Sequence, residues 1–148
     1  MSAYAEPQWF PLTKFFSPQL DTSVLACPKL LDRIASSLRS NRLILLSAPP
    51  GAGKTTALLS LLQQWPADSF AWLSLDATDD EPLVFMAVLI ASLQARASSL
   101  GRLQQLFTGV VGSELEIKRL MGVLVNEWLK LPVKSFVLVL DDLHLINN

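Results

Sequence analysis

The sequence predicts an α/β fold built on a parallel sheet. Three observations carry that expectation. Short, mostly apolar runs recur at residues 43–47, 70–75 and 136–140, as strands buried on both faces require. Longer segments with apolar residues at helical spacing separate them, so strands and helices alternate. A Gly/Pro loop ending in Gly-Lys-Thr follows the first run, and paired aspartates follow the last. Both lie at the ends of strands, where ligands of open α/β sheets bind.

The elements follow in order. Residues 1–27 read as an N-terminal arm, rich in Pro and aromatic residues as far as Ser23, with no helical or strand period. Such an arm is expected to be ordered by packing on the domain, which spans residues 28–148. Residues 28–39 place Leu30, Leu31, Ile34 and Leu38 at helical spacing, with Pro28 suited to a first turn and Asn41 ending the pattern. The run 43–47 (LILLS) reads as a buried strand. A helix is expected from Lys54 to about Trp65, stopped by Pro66. The run 70–75 (FAWLSL) is the second strand and 76–81 an acidic turn. Thr78 and Glu81 have capping-box spacing ahead of an apolar helix from Pro82 to about Arg96. Residues 98–112 show no clear period. Residues 114–131 repeat apolar side chains at Leu115, Leu120, Val123, Leu124 and Trp128, an amphipathic helix ended by Pro132. The run 136–140 (FVLVL) is the third strand, closed by Asp141 and Asp142.

Bulk properties narrow the function. A chain of 148 residues suits one domain with a sizeable core. Hydrophobic residues make up 51%, so large surfaces are buried in a thick core or an interface. Net charge is −1, and the 12 Lys and Arg are scattered, which argues against nucleic-acid binding by this segment. The single cysteine, Cys27, excludes an intrachain disulfide and fits a reducing cytosol. No signal-peptide pattern opens the chain. The longest uncharged apolar stretch, 82–95, falls short of the roughly 18 residues of a membrane span. A cytoplasmic protein without membrane contact is the expectation.

The chemistry concentrates in two motifs. Ala48-Pro49-Pro50-Gly51-Ala52-Gly53-Lys54-Thr55 stands between a strand and a helix, the setting of a phosphate-binding P-loop. Gly51 and Gly53 let the backbone bend so that successive N–H groups face phosphate oxygens, and the helix N-terminus adds partial positive charge. Pro50, Gly51, Ala52, Gly53, Lys54, Thr55 and Thr56 are therefore the candidate nucleotide ligands. Lys54 is expected to reach the β- and γ-phosphates and act in catalysis. Thr55 is expected to ligate Mg²⁺, and Thr56 to reach the α-phosphate. Ala48 stands where the common pattern has glycine, which a negative φ tolerates. At the end of the last strand, Asp141 is the second candidate Mg²⁺ ligand, and Asp142 the group that orients or deprotonates an attacking water. His144 and the Asp76, Asp79 and Asp80 cluster are more economically read as packing, capping and turn residues. Trp9, Trp65, Trp72 and Trp128 read as core.

Taken together, residues 46–56 (LSAPPGAGKTT), the segment 71–76 (AWLSLD) with Asp79-Asp80-Glu81-Pro82 and Phe85, residues 137–146 (VLVLDDLHLI), and the helix entry 28–33 (PKLLDR) resemble the MalT-like LuxR-type transcription regulators. These belong to the STAND class of P-loop ATPases. The resemblance covers nearly the whole chain. It implies a three-layer P-loop sandwich that binds ATP or ADP with Mg²⁺, hydrolyses ATP slowly, and switches between an inactive and a self-associating state. DNA binding would lie in a C-terminal region beyond this segment. It also implies that a further strand stands between the P-loop strand and the aspartate-bearing strand and comes later in sequence. The expectation is thus an N-terminal portion of the ATPase domain, with the sheet incomplete after the Walker B strand. Two other readings stay open: a continuously working ATPase of the AAA+ kind, for which a glutamate at position 142 would have argued, and a non-catalytic interaction module.

Overall fold

The computed structural model describes residues 10–20, 27–66, 69–95, 113–130 and 136–147. The chain forms two compact units, one of residues Met1–Phe16 with Ala71–Asn148, the other of Ser17–Phe70. The mixture of helices with a small parallel sheet is that of an α/β protein.

In the Ser17–Phe70 unit, helix α1 (Pro28–Ser40) begins with proline in its first turn, where the missing N–H costs nothing. Asn41 ends it, its N–H returning to Ser37 O at 2.9 Å. Helix α2 (Lys54–Leu62) packs on α1 through Ile34, Ala57 and Leu61, with Leu31, Ala35, Leu38 and Leu46 around them. It stops short of Trp65. Gln64 and Trp65 donate to carbonyls three residues back, at 3.2 and 3.0 Å, tightening the last turn before Pro66.

The run 43–47 does not become a buried strand. Leu43 is 87% exposed and Leu45 76%, while Ile44 and Leu46 turn inward. That alternation is the two-residue period of an extended chain covered on one side. A strand forms only where its N–H and C=O groups find a ladder partner, and none of the described residues pairs with this run.

The other unit holds the sheet. Strands β1 (Phe70–Ser74) and β2 (Val137–Asp141) run parallel. Leu75 N–H donates to Asp141 O at 3.1 Å, extending the pairing past the C-terminal end of β1. Helix α3 (Pro82–Gln94) is apolar on every side and is the unit's core, with Met86, Val88, Ile90 and Ala91 buried. Its polar Ser92 is satisfied by its own helix, donating to Leu89 O at 2.7 Å. Leu73 of β1 and Val88 are each 0% exposed.

Helix α4 (Glu114–Leu129) is opened by a reciprocal capping box between Ser113 and Glu116. It packs through Ile117, Leu120, Leu124 and Trp128. The expected Leu115 and Val123 face outward, at 58% and 37% exposure. Trp128 meets Phe136 edge-on at 4.5 Å. From the arm, the turn Leu12–Phe15 lies against α3, with Phe10 and Phe15 buried edge-to-face at 5.5 Å. Residues 1–9, 21–26, 67–68, 96–112, 131–135 and 148 lie outside the described residues, and with them Trp9, the helix ends expected at Arg96 and Pro132, and the unassigned stretch at 98–112.

Candidate functional site

The Gly-Lys-Thr loop takes its shape from two glycines. Gly51 has φ +76° and Gly53 φ +82°, values that L side chains adopt only at a cost of about 1–2 kcal/mol. Nothing lies within 4 Å of where a Cβ on either would stand. The requirement for glycine is therefore conformational, and the space above the loop is open. The left-handed Gly53 is also the N-cap of α2, and no side chain caps that helix start or places a carboxylate in its first turn. The start of α2 thus directs its partial positive charge toward the open space above the loop.

Lys54 opens α2 and folds back over the loop. Its ammonium donates to Ala48 O at 2.8 Å and Pro49 O at 3.2 Å. Those carbonyls occupy the places that the oxygens of an anion would compete for. Ala52 N–H donates to Pro49 O at 3.2 Å, closing the turn beneath it. Thr55 and Thr56 are half-buried in the first turn of α2. A cleft of about 420 Å³ runs beside this loop, lined by Leu30, Arg33, Ile34 and Ser37 of α1 and by Ala52, Gly53 and Lys54. Pro50, Gly51, Ala52, Gly53, Lys54, Thr55 and Thr56 are thus contiguous around one loop-to-helix junction.

In the other unit, Asp141 is the last residue of β2 and is half-buried. Its Oδ1 accepts the N–H of Asp142 at 3.2 Å. Asp142 has φ +58° and ψ +31°, the left-handed region that Asp tolerates better than most residues. It is the single non-glycine with positive φ among the described residues, and such outliers concentrate at functional turns. The 3-10 turn Leu143–Leu145 follows. His144 is exposed there rather than packed, its Nδ1 3.9 Å from Asp142 Oδ1.

The acidic turn after β1 differs from the sequence expectation. The capping box is made by Asp76 and Asp79 around Ala77–Asp79, and Glu81, the residue before α3, makes no side-chain cap. Thr78 lies inside the Asp76–Asp79 turn instead, its N–H donating to Asp76 Oδ1 at 2.8 Å. The two aspartates also hold a cation that the sequence reading did not single out. Lys14 Nζ lies 2.7 and 2.6 Å from the two Asp79 oxygens and 2.8 Å from Asp76 Oδ2. Burial lowers the Lys14 pKa, but the bonds to Asp76 and Asp79 outweigh it and leave it above 10.5. The Lys14 bond, helped by Thr78, holds the Asp76 carboxyl down at about 2. The signal for this contact was a lone lysine amid Leu12, Phe15 and Phe16, which needs an anion if it is to be buried.

Among the described residues no cluster of three or more His, Cys, Asp or Glu is arranged to hold a metal by itself. Nor is any described helix long and apolar enough to cross a membrane.

Comparison with known proteins places this local geometry in context. The chain is 32% identical over 124 residues to the HTH-type transcriptional regulator MalT of Serratia proteamaculans, a match covering 81% of this chain and 13% of that protein. MalT of Cronobacter sakazakii is 31% identical over 117 residues (76% and 12%). MalT of Klebsiella pneumoniae is 32% identical over 122 residues (76% and 12%). The chain therefore spans about an eighth of the length of these relatives. They support a MalT-like family for the matched region. No family model and no solved structure matches the chain.

Proposed function

We propose that this chain is the nucleotide-binding segment of a MalT-like transcription regulator, with a P-loop domain of the STAND class that holds ATP or ADP with Mg²⁺. The observation that carries the reading is the loop 48–55. Two left-handed glycines shape it, an uncapped helix start closes it, and Lys54 bridges its carbonyls. A turn built for chain reversal alone needs neither an open space above both glycines nor a lysine folded across it. Similarity to regulators named MalT over 76–81% of this chain supports the same reading.

In this account the loop N–H groups and the start of α2 bind the phosphates, and the Lys54 ammonium exchanges its carbonyl partners for phosphate oxygens. The Thr55 hydroxyl and Asp141 carboxylate are the hard oxygen donors that Mg²⁺ prefers. Mg²⁺, when bound, would supply positive charge that offsets the charge of the phosphates. Asp142, the next residue, would orient the attacking water. In the whole protein, slow hydrolysis would reset a switch between resting and self-associating states. DNA binding would be the work of a region outside this segment, and the cytoplasm its place.

The reading is tested by amide NMR. Adding ADP with Mg²⁺ should shift the N–H resonances of Gly51, Gly53, Lys54 and Thr55 more than those of α4. Shifts spread evenly over the chain, or none at millimolar nucleotide, would remove it.

A further inference from the structure

We propose that the turn Leu12–Phe15 is a strap whose Lys14 positions the aspartate-bearing loop 141–147, making Lys14 a positioning residue rather than simple packing. The side chain of Lys14 is 7% exposed and that of Asp79 1%. Taking two charges out of water is costly, and an apolar pair of similar volume would commonly hold the turn at least as firmly. A buried ionic pair is better suited to fixing one geometry than to adding stability, because the carboxylate accepts only where its donors stand.

Here the geometry is fixed on every side. Asp79 takes Lys14 on both oxygens, at 2.7 and 2.6 Å, and its Oδ2 also accepts the Asp76 N–H at 2.8 Å. Lys14 reaches Asp76 Oδ2 as well, at 2.8 Å. The turn so fixed then meets the aspartate-bearing loop at two points. Leu75, the neighbour of Asp76, donates its N–H to Asp141 O at 3.1 Å. Asp80, the neighbour of Asp79, accepts the Asn147 N–H at 2.6 Å. A short series of bonds thus runs from the strap to both ends of the segment that contains Asp141, Asp142 and His144. Phe10 and Phe15, buried in the same core as α3, anchor the strap on either side of Lys14. Displacing the strap would be felt first at the aspartate loop, whatever that loop binds.

The test is amide hydrogen exchange on the full 148-residue chain. Removing Lys14 alone strands a buried carboxylate and threatens folding, so the informative variant is Lys14→Met with Asp79→Asn. Its asparagine still accepts the Asp76 N–H, and the unit keeps its core. The strap account expects exchange at Leu75 and Asn147 to rise at least tenfold, while Leu73 and Val139 stay within twofold. Lys14→Arg, which keeps the charge, should leave Leu75 and Asn147 protected as in the wild type. Unchanged exchange at Leu75 and Asn147 in the double variant overturns the proposal. So does an equal rise at all four amides, which marks a merely structural pair.

Discussion

Replacing Gly53 by alanine and Gly122 by alanine is one chemical change with two opposite expected signs. At both positions the added methyl meets nothing within 4 Å, so neither sterics nor burial decides the outcome. At Gly53 the backbone has φ +82°. Alanine there costs about 1–2 kcal/mol in torsional energy, only partly offset by the smaller entropy of its unfolded chain, about 0.4–1 kcal/mol. A net loss near 1 kcal/mol follows. Gly122 sits inside α4 with ordinary helical backbone, and alanine there should gain about 0.5–1 kcal/mol. The two positions belong to different compact units, so a single melting curve would mix them. Native-state hydrogen exchange separates them. Opening free energies at Leu59 and Leu61 should fall in Gly53→Ala, and those at Leu120 and Leu124 should rise in Gly122→Ala. Two changes of the same sign would refute the conformational argument on which the shape of the phosphate loop rests.

Three further outcomes are expected. The Asp76 carboxyl, ordinarily at 3.8, should titrate near 2 by carbon NMR. Its contribution to stability is complete above the unfolded value and disappears as pH falls through about 2, and the variant Lys14→Met with Asp79→Asn should return it toward 3.8. At the alkaline end, the contribution of Lys14 is full below 10.5 and is lost as pH rises through its raised value. Asp142→Asn should leave stability nearly unchanged by urea denaturation. Asp142→Val, β-branched at φ +58°, should lose about 1–2 kcal/mol, and equal losses would sink the strain argument. Leu43→Glu, at a site 87% exposed, should alter stability by no more than about 0.5 kcal/mol. A cooperative loss of the Ser17–Phe70 unit would instead mean that the run 43–47 is buried.

What the sequence made legible divides by range. The glycine geometry at positions 51 and 53 was readable because φ is a local property, and Gly-x-Gly-Lys-Thr leaves few other conformations. The runs 70–75 and 136–140 were readable as strands because each finds the other. The run 43–47 is likewise mostly apolar, yet composition says only that a segment can pair and not whether a partner stands beside it. Helix α4 had a clear period, but two of its five expected core positions, Leu115 and Val123, face outward. With apolar residues on more than one side, periodicity alone did not choose the face. Least legible was the Lys14–Asp79 contact. Its partners are 65 residues apart, and no local pattern links them. In the acidic turn Asp76 and Asp79 do cap, as their reading as capping and turn residues expected, whereas the box expected of Thr78 and Glu81 does not form.

The central claim, that the loop 48–55 binds nucleotide phosphates, is tested most directly by calorimetric titration of MgADP and MgATP into the chain and into Lys54→Ala. Losing a charge-assisted phosphate contact should cost at least about 1.5 kcal/mol, roughly tenfold in affinity. Binding by the wild type with at least that loss in the variant is the predicted result. Absence of binding by a folded wild-type chain, or equal affinity in the two, would contradict it.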